Sequence, residues 1–298
     1  MTKCPACLER FGPDGQRALA EHLATRAGAS DSDHVRWLNQ NVGRRRTDAA
    51  GILRALVPVF SVGPGGLAGW IRGRFVSKFF GAVPHPFVAA LQRPARPVLL
   101  GYVVEHQHFL RQWVRSCAHI TAATDDPDVI RYELDNLVTE FGGSGPDRPS
   151  HYELLLRMGE GLGLPRDRVL ATPPLPATRR AIDGWEAIAR NEPWVETMAA
   201  MHSLELIAHR DLVRDGATLH YFDPAILDDG TLASAARAFL REGYDADVGH
   251  SEEALALIAR HATDAAARED LQSTFLRSID LFDDYLIARL QRANDYAA

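Results

Sequence analysis

The feature that most constrains this chain is a helical spacing of apolar residues that begins at Pro97 and runs almost to the end of the sequence. Proline suits the first turn of a helix, where its missing N–H is not needed. Behind it, Val98, Leu99, Tyr102, Val103, His106, Phe109, Leu110 and Trp113 recur at steps of three and four. A second helix is expected over 126–140, with Val129, Ile130, Leu134, Leu137 and Val138 on one side, and Gly142-Gly143-Ser144-Gly145-Pro146 ends it. Ser150 with Glu153 reads as a capping box that opens a third helix, carried by Leu154, Leu155, Met158 and Leu162 and stopped by Gly163 and Pro165. Further helices are expected over 178–191, 193–214 and 231–262, the last interrupted near Gly243 and Gly249. A final helix has Leu271, Phe275, Ile279, Phe282, Leu286 and Leu290 in register. Sustained period-two alternation with β-branched residues is missing, so the expected fold class is all-α, a helical bundle.

Composition narrows the partners. The chain has 298 residues, enough for one large domain or two modest ones, and its 46% hydrophobic content excludes wholesale disorder. A net charge of −6 with 24% charged residues leaves no dominant basic patch, which argues against nucleic acid. Three cysteines cannot build a disulfide scaffold. Met1-Thr2-Lys3-Cys4 runs straight into polar sequence without a secretory signal, and a cytoplasmic protein is expected. The charge-free stretch 55–71 is shorter than the roughly 20 residues a spanning helix needs. It also contains Pro58, Gly63, Pro64, Gly65, Gly66 and Gly69, so it reads as a turn-rich connector, or a loop closing over an apolar site, and not as a membrane span. The expected division is a small N-terminal module over 1–45, a connector over 46–84 and the bundle over 85–298.

The first 45 residues carry a ligand pattern of their own. Cys4 and Cys7 have the spacing of two thiolates on one tetrahedral zinc. His22 and His34 follow, giving a zinc-finger-like set of two cysteines and two histidines in which eleven residues, instead of three to five, separate the histidines. A thioredoxin-type redox pair is the rival, but its βαβ setting is missing. The bland alternative is a frayed terminus with unpaired cysteines. A unit with so few apolar residues would fold poorly without a metal, which favours zinc.

A second set lies in the bundle. Glu105, Glu140, His151 and Glu205 fall on or beside expected helices among apolar residues, and Asp247 and His250 are i, i+3 neighbours on one face. Inward carboxylates with a carboxylate-x-x-His step are what helical bundles use to hold two iron or manganese ions. Taken singly, each of these residues is more common as a solvated surface charge. Arg115, Arg131 or Arg157 could hold a substrate carboxylate as a bidentate pair, though a surface salt bridge is the default for each.

The ordered set His85-Pro86-Phe87, Asn136-Leu137-Val138-Thr139-Glu140, Gly143, His151-Tyr152-Glu153-Leu154-Leu155, Glu160-Gly161-Leu162-Gly163-Leu164-Pro165 and Asp247-Val248-Gly249-His250-Ser251-Glu252-Glu253, with the helix around Glu105, resembles the haem-oxygenase-like di-iron oxidases and oxygenases. These are relatives of thiaminase II and of the pyrroloquinoline-quinone synthesis oxidase, and the likeness covers about residues 80 to 265. It implies a seven-helix haem-oxygenase-like bundle without haem, holding non-haem iron that activates O2 on a small amino-acid-derived or peptide-linked substrate, in specialised metabolite biosynthesis. Residue by residue, Glu140 and His151 match the first metal carboxylate and histidine. Glu205 matches the mid-bundle glutamate, Asp247 and His250 the late aspartate and histidine, and Glu105 a carboxylate that ligates in some members. Gly243 stands where the family has a further histidine.

That replacement opens three outcomes. Glu105, Glu242, Asp245, His220 or His108 compensates and two irons bind; one iron suffices; or the chain is a non-catalytic, zinc-containing binding or accessory protein. Thiaminase-like hydrolysis through Cys117 is a further option, with no base assigned to it from the sequence. Oligomeric state stays open, a homodimer included.

Overall fold

The computed structural model describes residues 2–12, 14–43, 48–143 and 148–297, without the side chains of 245–248. A two-stranded antiparallel ribbon, β1 (Thr2–Lys3) and β2 (Arg10–Phe11), leads into α1 (Gly15–Gly28), α2 (Ser32–Asn41), α3 (Ala49–Phe60) and α4 (Gly66–Phe79). The bundle continues with α5 (Pro86–Leu91), α6 (Arg96–Ala123), α7 (Pro127–Leu137), α8 (His151–Gly161), α9 (Arg166–Ala171), α10 (Pro176–Asn191) and α11 (Trp194–Met201). Two long helices close it, α12 (Ser234–His261) and α13 (Ala265–Ala293). The ribbon is the one sheet among the described residues, so the all-α expectation holds.

Helix starts follow the local chemistry. Asp126 caps α7 by accepting from the N–H groups of Asp128 and Val129, with Pro127 in the first turn. Ser150 Oγ accepts from the Glu153 N–H at 3.2 Å, half of the expected capping box; the Glu153 carboxylate turns instead to Arg157 and Arg166.

Three expectations are corrected. The stretch 55–71 is not a turn-rich connector, because most of it belongs to α3 and α4. Pro58 sits in the last turn of α3, and Arg74 Nη2 donates to the Pro58 and Val59 carbonyls, satisfying the helix end from outside. The helix expected over 193–214 breaks at His202 into 3₁₀ turns over His202–Ile207 and Arg210–Asp215. Conversely, α12 runs unbroken through Gly243 and Gly249.

The core is built on α13, which lies along α6, α10 and α11. Gly101 makes the closest approach possible: a Cβ there would overlap the carbonyl oxygen of Arg289 and lie 2.8 Å from the Ala293 nitrogen. Phe109, Trp185, Phe282 and Tyr285 form an aromatic cluster at the centre, with Phe109 stacked on Tyr285 at 5.2 Å. Leu19, Leu23 and Trp37 of the N-terminal segment belong to the same continuous buried core. No helix among the described residues is long and apolar enough to cross a membrane.

Candidate metal centre

The bundle holds a cavity of about 90 Å³ between α6, α8, α12, α13 and the turn after α11. Its walls are mostly aromatic and aliphatic, including Tyr102, Phe109, Trp113, Phe222, Phe239 and Phe282. Into this apolar space the fold directs Glu140, His151, Glu205, His106 and Arg289.

Glu140 reaches it because α7 widens into a π-helical turn over Val138–Gly142, a distortion that re-aims side chains and recurs at functional sites. Gly143, at φ 68°, then turns the chain, and His151 begins α8 facing Glu140, with His151 Nδ1 2.9 Å from Glu140 Oε1. Glu140 Oε2 is buried and finds no hydrogen-bond partner among the described residues. Glu205, on the first 3₁₀ turn, has its Oε2 in the same condition. Two buried carboxylate oxygens that find no donor among the described residues, in one largely apolar pocket, are costly unless a cation or proton offsets them.

The other expected ligands are placed differently. Glu105 is not brought to the cavity: it is fully buried, but Arg292 Nε donates to one oxygen at 2.7 Å and the Leu175 N–H to the other at 3.2 Å. Its carboxylate is a helix-packing charge. Gly243 does line the cavity, at the position where the resemblance expects a histidine. The Asp247 side chain lies outside the described residues. His250 stands about two turns beyond Gly243 on the same side of α12 and is not among the residues lining the cavity; its carbonyl accepts from Tyr132 Oη at 3.2 Å, and the same hydroxyl is 3.2 Å from His202 Nδ1. This contact sets the His250 turn beside the turn that carries Glu205, whose Oε1 is 3.7 Å from His202 Nδ1.

Two candidate residues at or beside the site were not visible in the sequence. Arg289 is buried at the cavity wall, and its guanidinium lies 4.1 Å from the Tyr102 ring centroid and 4.4 Å from that of Tyr285. It donates to Tyr221 Oη at 2.6 Å and to His106 Nδ1 at 2.8 Å, with no carboxylate partner among the described residues. Burial, helped by Arg289 and His151, pushes His106 well below its ordinary value, so the ring is neutral. Arg115 is exposed, and Arg131 and Arg157 pair with Asp128 and Glu153 on the surface, so none of the three reaches the cavity.

The second is His202. It meets Cys117 and Glu133 in a buried cluster whose ligand-type atoms lie within 4.8 Å of one another, with Glu133 Oε1 2.9 Å from His202 Nε2. Burial opposes a charged ring there, but Glu133, Cys117 and Glu205 outweigh it and hold His202 well above its ordinary value. Burial and the neighbouring Glu133 push the Cys117 thiol up, and Cys117 does not line the cavity. A protonated thiol sealed from the cavity is not an activated nucleophile.

The N-terminal set is brought together. Cys4, Cys7, His22 and His34 offer four ligand atoms within 4.8 Å of one another. The contact between the two sulfurs lowers the Cys7 thiol and, with burial, raises Cys4.

The described architecture is an all-α bundle of the haem-oxygenase-like type. It aligns with a domain of unknown function with that fold from Shewanella denitrificans at 17% identity, covering 72% of this chain and 87% of the other, TM-score 0.55. A CADD-like protein of unknown function from Nostoc punctiforme aligns at 15% identity over 78% and 97%, TM-score 0.56. A TenA homolog from Pseudomonas syringae aligns at 12% over 95% and 98%, TM-score 0.51. Residues 70–293 match the model of the TENA/THI-4/PQQC family, and the chain belongs to that family. No curated protein sequence matches it.

Proposed function

We propose that the bundle cavity is a non-haem iron site and that the chain is an O2-dependent oxidoreductase acting on a small substrate with a carboxylate, such as an amino acid or a peptide-linked derivative. The observation that supports this most is the pair of buried carboxylate oxygens, Glu140 Oε2 and Glu205 Oε2, that find no donor among the described residues and lie beside His151 in one largely apolar cavity. Carboxylates with imidazole suit iron and leave coordination positions open. Glu140, His151 and Glu205 would hold the metal. Asp247 and His250, which the resemblance matches to the late aspartate and histidine, would contribute from α12, four and seven residues beyond Gly243. Two irons are expected, with one sufficing if Gly243 leaves the second site incomplete. Bound iron would supply the one-electron redox chemistry with O2.

The chain's own residues supply the rest. Arg289 would receive the substrate carboxylate, since a buried guanidinium that has no counter-charge among the described residues gains most from an anion. His106 accepts from Arg289 at Nδ1, which leaves its ring proton on Nε2 and keeps Arg289 oriented. The aromatic walls exclude water from the substrate.

The test is anaerobic loading with Fe(II), followed by exposure to O2 while the visible spectrum is recorded. Iron uptake and a transient oxygen-dependent band are expected, both lost in Glu140→Ala and His250→Ala. Zinc alone, with no iron uptake and no effect of either substitution, would overturn the proposal and favour a non-catalytic binding protein. Gly243 at the cavity wall is the observation that favours that second reading.

A further inference from the structure

Outside the bundle cavity, one cluster has the donor set and spacing of a complete metal site. Cys4 and Cys7 present two sulfurs, and His22 Nε2 and His34 Nε2 lie 3.0 Å apart, with Cys7 Sγ 3.5 Å from His22 Nε2. Tetrahedral zinc with ordinary bond lengths requires donor–donor edges of roughly 3.3 to 3.8 Å, so small adjustments close the site. One nitrogen facing away is hydrogen-bonded, His34 Nδ1 to Asp31 Oδ1 at 2.7 Å; for the other, Glu9 Oε2 lies at an ion-pair distance of 3.6 Å from His22 Nδ1. A carboxylate on the remote ring nitrogen fixes the tautomer that turns Nε2 toward a metal. The Ala6 N–H donates to Cys4 Sγ at 3.4 Å.

We infer that Cys4, Cys7, His22 and His34 bind one zinc ion in a closed, structural site, and that this zinc clamps the N-terminus onto the C-terminal helix. Four protein ligands leave no position for substrate, which separates this site from the cavity. The clamp follows from what adjoins the first cysteine. Lys3 is fully buried, with Nζ paired to Glu196 at 2.5 Å and to Glu192, and its carbonyl accepts from Ser273 Oγ of α13 at 2.9 Å. Arg10, on the other strand of the ribbon, reaches Glu192 at 2.7 Å. Fixing Cys4 and Cys7 therefore fixes the ribbon that holds Lys3 against α10, α11 and α13. Metal affinity at such a site becomes folding free energy for the elements it joins.

Metal analysis of the purified full-length chain tests this without reference to activity. One zinc per chain is expected, retained in Glu140→Ala and lost in Cys7→Ser and His34→Ala. Cobalt(II) exchanged into the unsubstituted chain should give the visible bands of a tetrahedral site and a thiolate-to-cobalt band in the near ultraviolet, a readout that does not depend on whether the variants fold. Stripping the zinc should lower the melting temperature of the whole transition by roughly 5 °C or more. A chain without zinc, a cobalt spectrum without thiolate bands, or zinc that persists in both folded variants would overturn the site. An unchanged melting temperature after stripping would overturn the clamp. Zinc and iron are counted separately, so failure here leaves the cavity proposal standing, and the reverse.

Discussion

Arg289 separates a structural from a functional use of a buried charge. Arg292, one turn along α13, is neutralised by Glu105, whereas Arg289 faces hydroxyls, a neutral imidazole and aromatic rings. Arg289→Met should therefore weaken substrate binding, raising KM far more than it lowers kcat, while Glu105→Gln should act on stability. Steady-state kinetics with a carboxylate substrate and its amide analogue would check this, and equal handling of the two by the unsubstituted chain would contradict it. Cys117→Ala should leave turnover within about twofold, because the thiol is protonated and does not line the cavity. The residue scale also predicts a pH response. His108, lowered from its ordinary 6.5 to about 4 by burial, stays neutral in the folded chain while the unfolded chain takes up a proton. The unfolded state thus binds more protons between those values, and stability falls as pH drops from 6.5 toward 4. His108→Gln should flatten that part of a denaturation-midpoint profile.

At the scale of elements, local signals were legible where one residue decides the outcome. Pro97, Asp126 and Ser150 each start a helix as their chemistry requires, and the Glu140 and His151 pair survives because a π-turn and a helix start lie next to each other in the chain. What the sequence hid is tertiary. Pro58 and the glycines near it read as breakers because the partner that satisfies the α3 end, Arg74, lies on another helix. His202, Cys117 and Glu133 meet from three separate elements, and no spacing announces that. Arg289 falls three residues after Leu286 and so continues the apolar stripe of α13, a position that sequence patterning assigns to solvent when it carries an arginine. The contact of α6 with α13 is the element-level test. Gly101→Ala would force its Cβ into backbone atoms of α13, and a loss of about 1–3 kcal/mol or more is expected in urea unfolding, with the α-helical spectrum retained. A neutral substitution would mean that these helices do not approach as described.

For the whole molecule, the N-terminal segment is an integral part of the packing. Its Leu19, Leu23 and Trp37 share the continuous core, and Lys3 inserts a buried cation between two glutamates of the bundle. Lys3→Met leaves Glu196 buried without its cation and should cost about 3–5 kcal/mol, seen as one shifted transition and not as the early loss of a separate tail. A biphasic melt would contradict that unity. The fold sets where the cavity lies, and the donor set inside it bears on what the cavity can hold. The measurement that bears most directly on the central claim is iron content after anaerobic Fe(II) loading and desalting, made on the unsubstituted chain, on Glu140→Gln and on Glu205→Gln. One or two irons per chain, falling to none in either variant with the fold and the N-terminal zinc intact, is the expected result. Equal iron in all three, or none in any, would contradict the account.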